Sequence, residues 1–233
     1  MKKQFVIILA LMLVVSSLAG CGTKEETAAG GSAKRSYTIE RTDGTPNWSN
    51  VQKLDIDNVQ WLEPVDIKAH AQLCYNSDAL FVHMWADEKN IRAKHQKTEL
   101  LANIYEDSCL EFFIMPVSGD SRYMNFEFNP NCGVCAEIGR TKADRVRLVP
   151  SIDPFEAVSA RTDTGWEITY KLPFAFIKKF YPDFSAKPGM QIAGNFYKCG
   201  NLTVKKHYIS WNPIASDTPD FHRPQDFGVL IFK

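Results

Sequence analysis

Ala79-Leu80-Phe81-Val82-His83-Met84-Trp85-Ala86-Asp87-Glu88 is the stretch on which the fold turns. Leu80, Val82, Met84 and Ala86 alternate with Phe81, His83 and Trp85, a period of two rather than 3.6. Both sets carry apolar residues, as in a strand at the middle of a sandwich. Upstream, Ile67–Tyr75 is a second such run, and Asn76-Ser77-Asp78 between the two is a hairpin turn signal. Downstream, further runs follow at short spacing over 109–115, 122–129, 134–139, 145–149, 155–162, 166–172, 191–198, 207–211 and 227–232. Asp163-Thr164-Gly165 joins two of them as a short hairpin loop. Only 174–181 reads as helix, opened by Pro173 and stopped by Pro182. The pattern predicts an all-β fold, an antiparallel, jelly-roll-like β-sandwich with one short helix.

Composition narrows the functional classes. The 233 residues include 27 Lys+Arg and 27 Asp+Glu, so the formal net charge is zero. That argues against a nucleic-acid binder with a broad basic surface. With 12% aromatic and 23% charged residues the chain is not of disordered type.

The first twenty residues stand apart. Lys2 and Lys3 precede an apolar run, Phe5 to Val15, that ends in Ser16-Ser17-Leu18-Ala19-Gly20-Cys21. A basic start, a short apolar run and small residues at the end make a secretory signal peptide. The run is shorter than the ~20 residues of a membrane span. Leu18-Ala19-Gly20-Cys21 resembles the lipobox of bacterial lipoproteins, which implies cleavage before Cys21 and acylation of its thiol. Losing Lys2 and Lys3 leaves 25 basic against 27 acidic residues, a net charge of −2. Attraction to anionic lipid is therefore not expected, and the acyl chains would hold the protein at the membrane. Residues 21–36 hold no aromatic until Tyr37 and read as a flexible tether, its ends on the order of 20 Å apart. The expected organisation is a leader over 1–20, a lipidated tether over 21–36 and one monomeric domain over 37–233.

Setting Cys21 aside leaves Cys74, Cys109, Cys132, Cys135 and Cys199, an odd number that excludes full disulfide pairing. Cys132-Gly133-Val134-Cys135 has CxxC spacing. A thioredoxin-type pair needs a βαβ context with the first Cys at a helix start. This one follows the turn signal Asn129-Pro130-Asn131 between two strand-like runs, so structural thiols are expected. The sequence has no Gly-x-Ser-x-Gly elbow, Walker loop, His-Glu-x-x-His or Gly-rich dinucleotide turn. Most Asp and Glu sit in turn signals, where Asx chemistry explains them. Glu111 and Glu127 are the exceptions, each mid-strand between apolar neighbours, where a carboxylate needs a partner.

Glu111 lies in Tyr105-Glu106-Asp107-Ser108-Cys109-Leu110-Glu111-Phe112-Phe113, which resembles the aromatic-x-Asp-Ser-x-x-Glu-Phe segment of family-9 carbohydrate-binding modules. The resemblance continues in order through residues 123–129, 194–198 and 207–211, and through Phe221-His222-Arg223-Pro224 before Phe227-Gly228. It implies a non-catalytic β-sandwich that holds an oligosaccharide or polysaccharide end between two aromatic rings. Flat rings cover the apolar C–H faces of sugars, while carboxylates, amides and guanidinium groups bond the hydroxyls. By motif position Tyr105 and Trp211 would be the ring pair, and Glu111 the carboxylate that accepts from sugar hydroxyls. Asn125, Glu127, Asn195 and Arg223 are further polar candidates. Tyr105 stands where typical members carry Trp, and the smaller ring stacks less strongly. Asp78, Asp107 and Asp120 would be the ligands of a structural Ca²⁺ of the kind some relatives hold. Two rival classes follow from similar sandwiches. One is a haem binder using Met84, Met115 or Met124 with His83 or His207. The other is a glycosidase using carboxylates that pair in space.

The leader generates the first prediction. Cys21→Ser is expected to release the protein to the medium or to leave an uncleaved precursor, as shown by cell fractionation and intact mass. A variant that stays membrane-bound and normally processed contradicts the lipobox reading.

Overall fold

Alternation along the chain becomes strands in the computed structural model, which describes residues 33–233. The leader, Cys21 and residues 22–32 of the tether lie outside the described residues. The strands are β1 (Ser36–Arg41), β2 (Leu54–Ile56), β3 (Asn58–Val59), β4 (Lys68–Tyr75), β5 (Ala79–Asp87), β6 (Cys109–Met115) and β7 (Tyr123–Phe128). They continue as β8 (Val134–Gly139), β9 (Val146–Arg147), β10 (Val158–Arg161), β11 (Trp166–Pro173), β12 (Gln191–Gly200), β13 (His207–Ser210) and β14 (Gly228–Phe232). The short helix α1 (Phe174–Lys178) starts after Pro173 as expected, but it ends at Lys178, three residues before the expected end at Tyr181. No helix among the described residues is long and apolar enough to cross a membrane.

Two layers are joined at one strand. The first runs β10-β11-β5-β4 with β2 on β4, and the second runs β14-β12-β6-β7-β8-β9 with β13 on β12. Ser36–Ile39 of β1 pairs with β14 and the end of β1, Glu40–Arg41, pairs with β4, so β1 passes from one layer to the other. Both of its pairings are parallel, while every other pairing among the described residues is antiparallel. The sandwich expected from the sequence is present, and its wholly antiparallel character is corrected at β1. Periodicity tells which face a residue takes and nothing about the direction of the strand beside it.

The core lies between the layers. β5 turns Leu80, Val82, Met84 and Ala86 inward, and β11 adds Trp166, Ile168, Tyr170 and Leu172. Phe112 of β6, Phe126 and Phe128 of β7 and Phe196 of β12 meet them from the other layer. Phe112 and Phe196 stack at 4.4 Å, and Phe128 lies 4.3 Å from Tyr170 across the core. Side chains of the intervening residues on β6, β7, β8 and β12 face the other way and form a second cluster with Cys109, Phe113, Tyr123, Cys135, Tyr197 and Cys199. A sheet covered on both faces therefore carries the site.

One charge pair spans the layers inside this core. Lys198 of β12 is fully buried, and its Nζ lies 3.1 Å from a carboxylate oxygen of Glu88, which is 3% exposed. The ammonium also donates to the Cys199 carbonyl at 2.9 Å and meets His207 Nε2 at 2.8 Å, so its three donors have three acceptors. His207 Nδ1 donates to the Lys205 carbonyl at 2.7 Å, which makes Nε2 the acceptor. Burial and the Lys198 charge push the imidazole down to about 4, in keeping with that neutral tautomer. Glu88 accepts from Ser108 Oγ at 2.9 Å and from Trp166 Nε1 at 3.3 Å.

Removing one partner of a buried pair strands the other charge and costs about 3–5 kcal/mol. Lys198→Met is expected to lower unfolding stability in urea by that amount, and Glu88→Gln in the same chain to recover part of it. A Lys198→Met protein within about 1 kcal/mol of the parent would show that the pair does not hold the layers together.

Candidate functional site

The outward face of the second layer carries polar residues in register. Tyr197 of β12, Glu111 of β6, Glu127 of β7 and Cys135 of β8 lie in one row across four strands. The next row runs Asn195, Phe113, Asn125, Glu137 and Arg147. Cys199 and Cys109 face each other on the far side of the first row. Loops enclose this face as a groove of about 350 Å³, lined by Trp61, Tyr105, Glu111, Glu127, Glu137, Arg145, Arg147, Cys199, Tyr208, Phe221 and His222, among others. The volume falls in the range of small-molecule sites.

The aromatic walls are fixed by local constraints. Tyr105 sits on a 3₁₀ turn, Ile104–Glu106, whose Ile104 is buried, so the ring of Tyr105 is turned outward and is 39% exposed. The Asn201 amide donates to the Tyr105 carbonyl at 3.0 Å and ties the turn to the end of β12. Asp107 anchors the same turn from below, one oxygen accepting from the amides of Lys94 and His95 and from Asn129 Nδ2. Opposite, Trp61 adopts a φ of 60°, a left-handed conformation rare for so bulky a residue. Its Nε1 donates to the Ser216 carbonyl at 2.6 Å, and its ring packs 5.7 Å from Tyr208 and 5.6 Å from Phe221. Strain held by several contacts is typical of ligand-contacting positions.

Four carboxyl groups line the groove, Asp220 from a loop and Glu111, Glu127 and Glu137 from the sheet. Glu137 is ion-paired on both oxygens, one with Arg145 and the other with Arg147 Nε at 3.2 Å. Glu127 accepts from Asn125 Nδ2 at 2.9 Å through one oxygen, while its other oxygen and Asn125 Oδ1 have no partner in the protein. Glu111 accepts only from the weak thiol donor of Cys199, at 2.8 Å. Burial pushes both Glu111 and Glu127 well above the usual carboxylate range. His222 accepts from or donates to Tyr123 Oη at 2.8 Å, and burial with the charges of Arg145 and Lys142 pushes it down to about 3.

The structure gathers Tyr105, Glu111 and Glu127 in the groove, with Asn125 holding two of its carboxyls from the neighbouring row. It separates the rest. Trp211 is 3% exposed and lies in the main core, its ring 5.8 Å from Phe196 and packed so closely on Gly228 that a Cβ there would lie 2.4 Å away. It is a core residue and no stacking platform. The physical reason is alternation: Ile209 and Trp211 share the inward face of β13 and its extension, and Tyr208 takes the outward one. Asn195 is a backbone clamp, accepting from the Asn212 amide at 2.8 Å and donating to its carbonyl at 3.0 Å. Arg223 pairs with Asp226 at 2.7 Å, away from the groove lining.

The three aspartates offered for Ca²⁺ are engaged apart from one another. Asp107 is spent on loop amides and Arg92, Asp120 pairs with Arg122, which holds it down at about 2, and Asp78 is exposed in the β4–β5 turn. The haem pairs do not form either. Met84 and Met124 are fully buried in the main core, and both ring nitrogens of His83 and of His207 are hydrogen-bonded. Cys132 and Cys135 point to opposite faces, the first against the main core and the second into the groove cluster, as structural thiols do. Sequence reasoning missed Trp61, Tyr208, Glu137, Arg145 and Arg147. Tyr208 was within reach, since the apolar Ile209 marks the inward face of its strand.

A double-faced sheet with a groove of rings and buried carboxyls defines a binder of small polar molecules with apolar faces. The profile of Carbohydrate-binding family 9 matches residues 43–232, and the chain belongs to that family. A protein of Bacteroides uniformis ATCC 8492, described as a candidate carbohydrate-binding protein, shares the fold with a TM-score of 0.75 at 22% identity, over 86% of this chain and 100% of that one. A family-9 module of Caldicellulosiruptor kristjanssonii solved with glucose superposes with a TM-score of 0.60 at 13% identity, over 85% and 96% of the two chains. The same kind of module solved with cellotriose gives 0.59 at 14%, over 85% and 94%. No curated protein sequence matches the chain.

The unpartnered oxygen of Glu127 generates a prediction with two signs. A carboxyl raised in the folded state contributes stability below its unfolded value near 4.5, and that contribution is lost as pH rises through the folded value. Glu127→Gln removes the ionisable group, so its melting temperature should exceed the parent's above pH 5, by on the order of 2–4 °C for ~1 kcal/mol. Near pH 4 the two should converge. A variant less stable than the parent at every pH would show that Glu127 is structural.

Proposed function

We propose that the groove binds a glycan or its chain end without cleaving it, on a lipoprotein held at the outer face of the cell membrane. The observation that carries this reading is the unpartnered, buried oxygen of Glu127 beside Glu111, in a groove flanked by Tyr105 and Trp61. A buried polar oxygen without a protein partner costs about 1–3 kcal/mol, a cost that a ligand hydroxyl, able to donate or accept, offsets by hydrogen-bonding there. The rings supply apolar faces and Arg145 and Arg147 supply donors, the mixture that a pyranose requires. Glucose and cellotriose are the ligands in the two C. kristjanssonii structures, so β-glucans are the first sugars to test.

Two features favour binding over hydrolysis. A retaining glycosidase needs one carboxyl protonated and its partner free to attack. Here burial keeps both Glu111 and Glu127 toward the neutral form, and the oxygens of Glu137 are taken by two arginines. The leader ending in Leu18-Ala19-Gly20-Cys21 and the tether supply export and anchoring in this reading.

Calorimetric titration with cello- and xylo-oligosaccharides tests it. Tyr105 is exposed, so Tyr105→Ala should melt like the parent while losing a stacking ring. The expected loss is roughly tenfold to thirtyfold in affinity, about 1.4–2 kcal/mol. A folded variant that binds as tightly as the parent removes Tyr105 from the site. A parent that binds none of these sugars, nor any glycan on an array, overturns the reading.

A further inference from the structure

Cys109 and Cys199 occupy directly opposed positions on β6 and β12, and Glu111 follows two residues on from Cys109 on the same face. All three are buried, with exposures of 0%, 1% and 3%. One ligand atom from each, the two Sγ atoms and a carboxylate oxygen, lies within 4.8 Å of the others. Tetrahedral zinc with Zn–S near 2.3 Å and Zn–O near 2.1 Å needs separations of roughly 3.6–3.8 Å, so the 2.8 Å between Cys199 Sγ and the Glu111 carboxyl must open by somewhat under ~1 Å as the proton between them is lost. The groups lack better partners. Outside the cluster Cys109 Sγ reaches its neighbour's carbonyl at 4.0 Å, and the Glu111 carboxyl is met by thiols instead of a cation. An incompletely partnered carboxyl group in a buried place calls for an explanation.

We propose that Cys109, Cys199 and Glu111 form a site for a thiolate-preferring divalent ion of the zinc class, set in the floor of the groove. Two thiolates select such an ion over Ca²⁺ or Mg²⁺, which take oxygen ligands. Glu111 and Cys199 line the groove, so the fourth position opens toward it and is filled by water. As the ion enters, the two S–H bonds break, two Zn–S bonds form and both protons leave to solvent. Glu111 in its protonated form gives up a third, and no electrons move. The neighbouring set of Glu127, Cys135 and Glu137 is similarly compact, but Arg145 and Arg147 occupy Glu137 and repel a cation. The site does not depend on the glycan reading.

The test is titration of the full chain, reduced and stripped of metal, with Co²⁺ as a spectroscopic probe. One Co²⁺ per chain should bind and show thiolate-to-cobalt charge-transfer absorption. Zn²⁺ should displace it, and proton release should accompany binding. Cys109→Ser and Cys199→Ser should each weaken binding at least tenfold and diminish the band, while Cys74→Ser keeps both. The parent spectrum decides the matter even where a serine variant unfolds, because its intensity reports the number of thiolates. No charge-transfer band at excess Co²⁺ overturns the site, as does a band that survives in a folded Cys109→Ser, Cys199→Ser double variant.

Discussion

The ammonium of Lys198 sits where the two layers meet, and its three acceptors come from three parts of the chain. Because strand side chains alternate, fixing Lys198 inward fixes Tyr197 and Cys199 outward. The register of β12 on β6 then places Glu111 beside Tyr197, and that of β6 on β7 places Glu127 beside Glu111. A slip of one residue would send Phe112 and Phe196 out of the core and both carboxyls into it. The polar face thus follows from a demand of the core. An ion pair this deep adds little net stability over an apolar substitute, but its breakage is costly, and it favours one register over its neighbours.

The outward face carries the opposite bargain. At Lys198 every donor is matched, whereas at the groove Glu127 and Asn125 each retain an unpartnered oxygen. Trp61 adds a left-handed backbone held by a single strong indole hydrogen bond and two ring contacts. Left-handed backbone also occurs at Cys132 and Glu156, and an unpartnered hydroxyl at Tyr181, but at the groove the two kinds of departure meet in Trp61, Glu127 and Asn125. Such concentration is the physical mark of a site shaped for a ligand.

Much of this was legible in the chain. β6 and β8 begin and end where the alternation does, and α1 starts after Pro173 as its φ constraint requires. β2 and β3, of three and two residues, are too short to show a period, and the parallel pairings of β1 leave no local trace. Glu111 and Glu127 stood out because carboxylates mid-strand need a reason. Trp211 misled because a large ring near a strand end suits a platform and a core alike, and only its parity with Ile209 separates the two. Trp61 and Arg145 reach the groove from loops, and their convergence is a property of three dimensions that sequence spacing does not encode.

A crystal structure of the protein soaked with cellotriose would show whether the groove is where the sugar sits. One sugar ring is expected in the groove, stacked on Tyr105 or on Trp61, with a hydroxyl within hydrogen-bonding distance of the free oxygen of Glu127. A sugar seated on the outer face of the β4–β5 layer, with the groove carboxyls untouched, would contradict it.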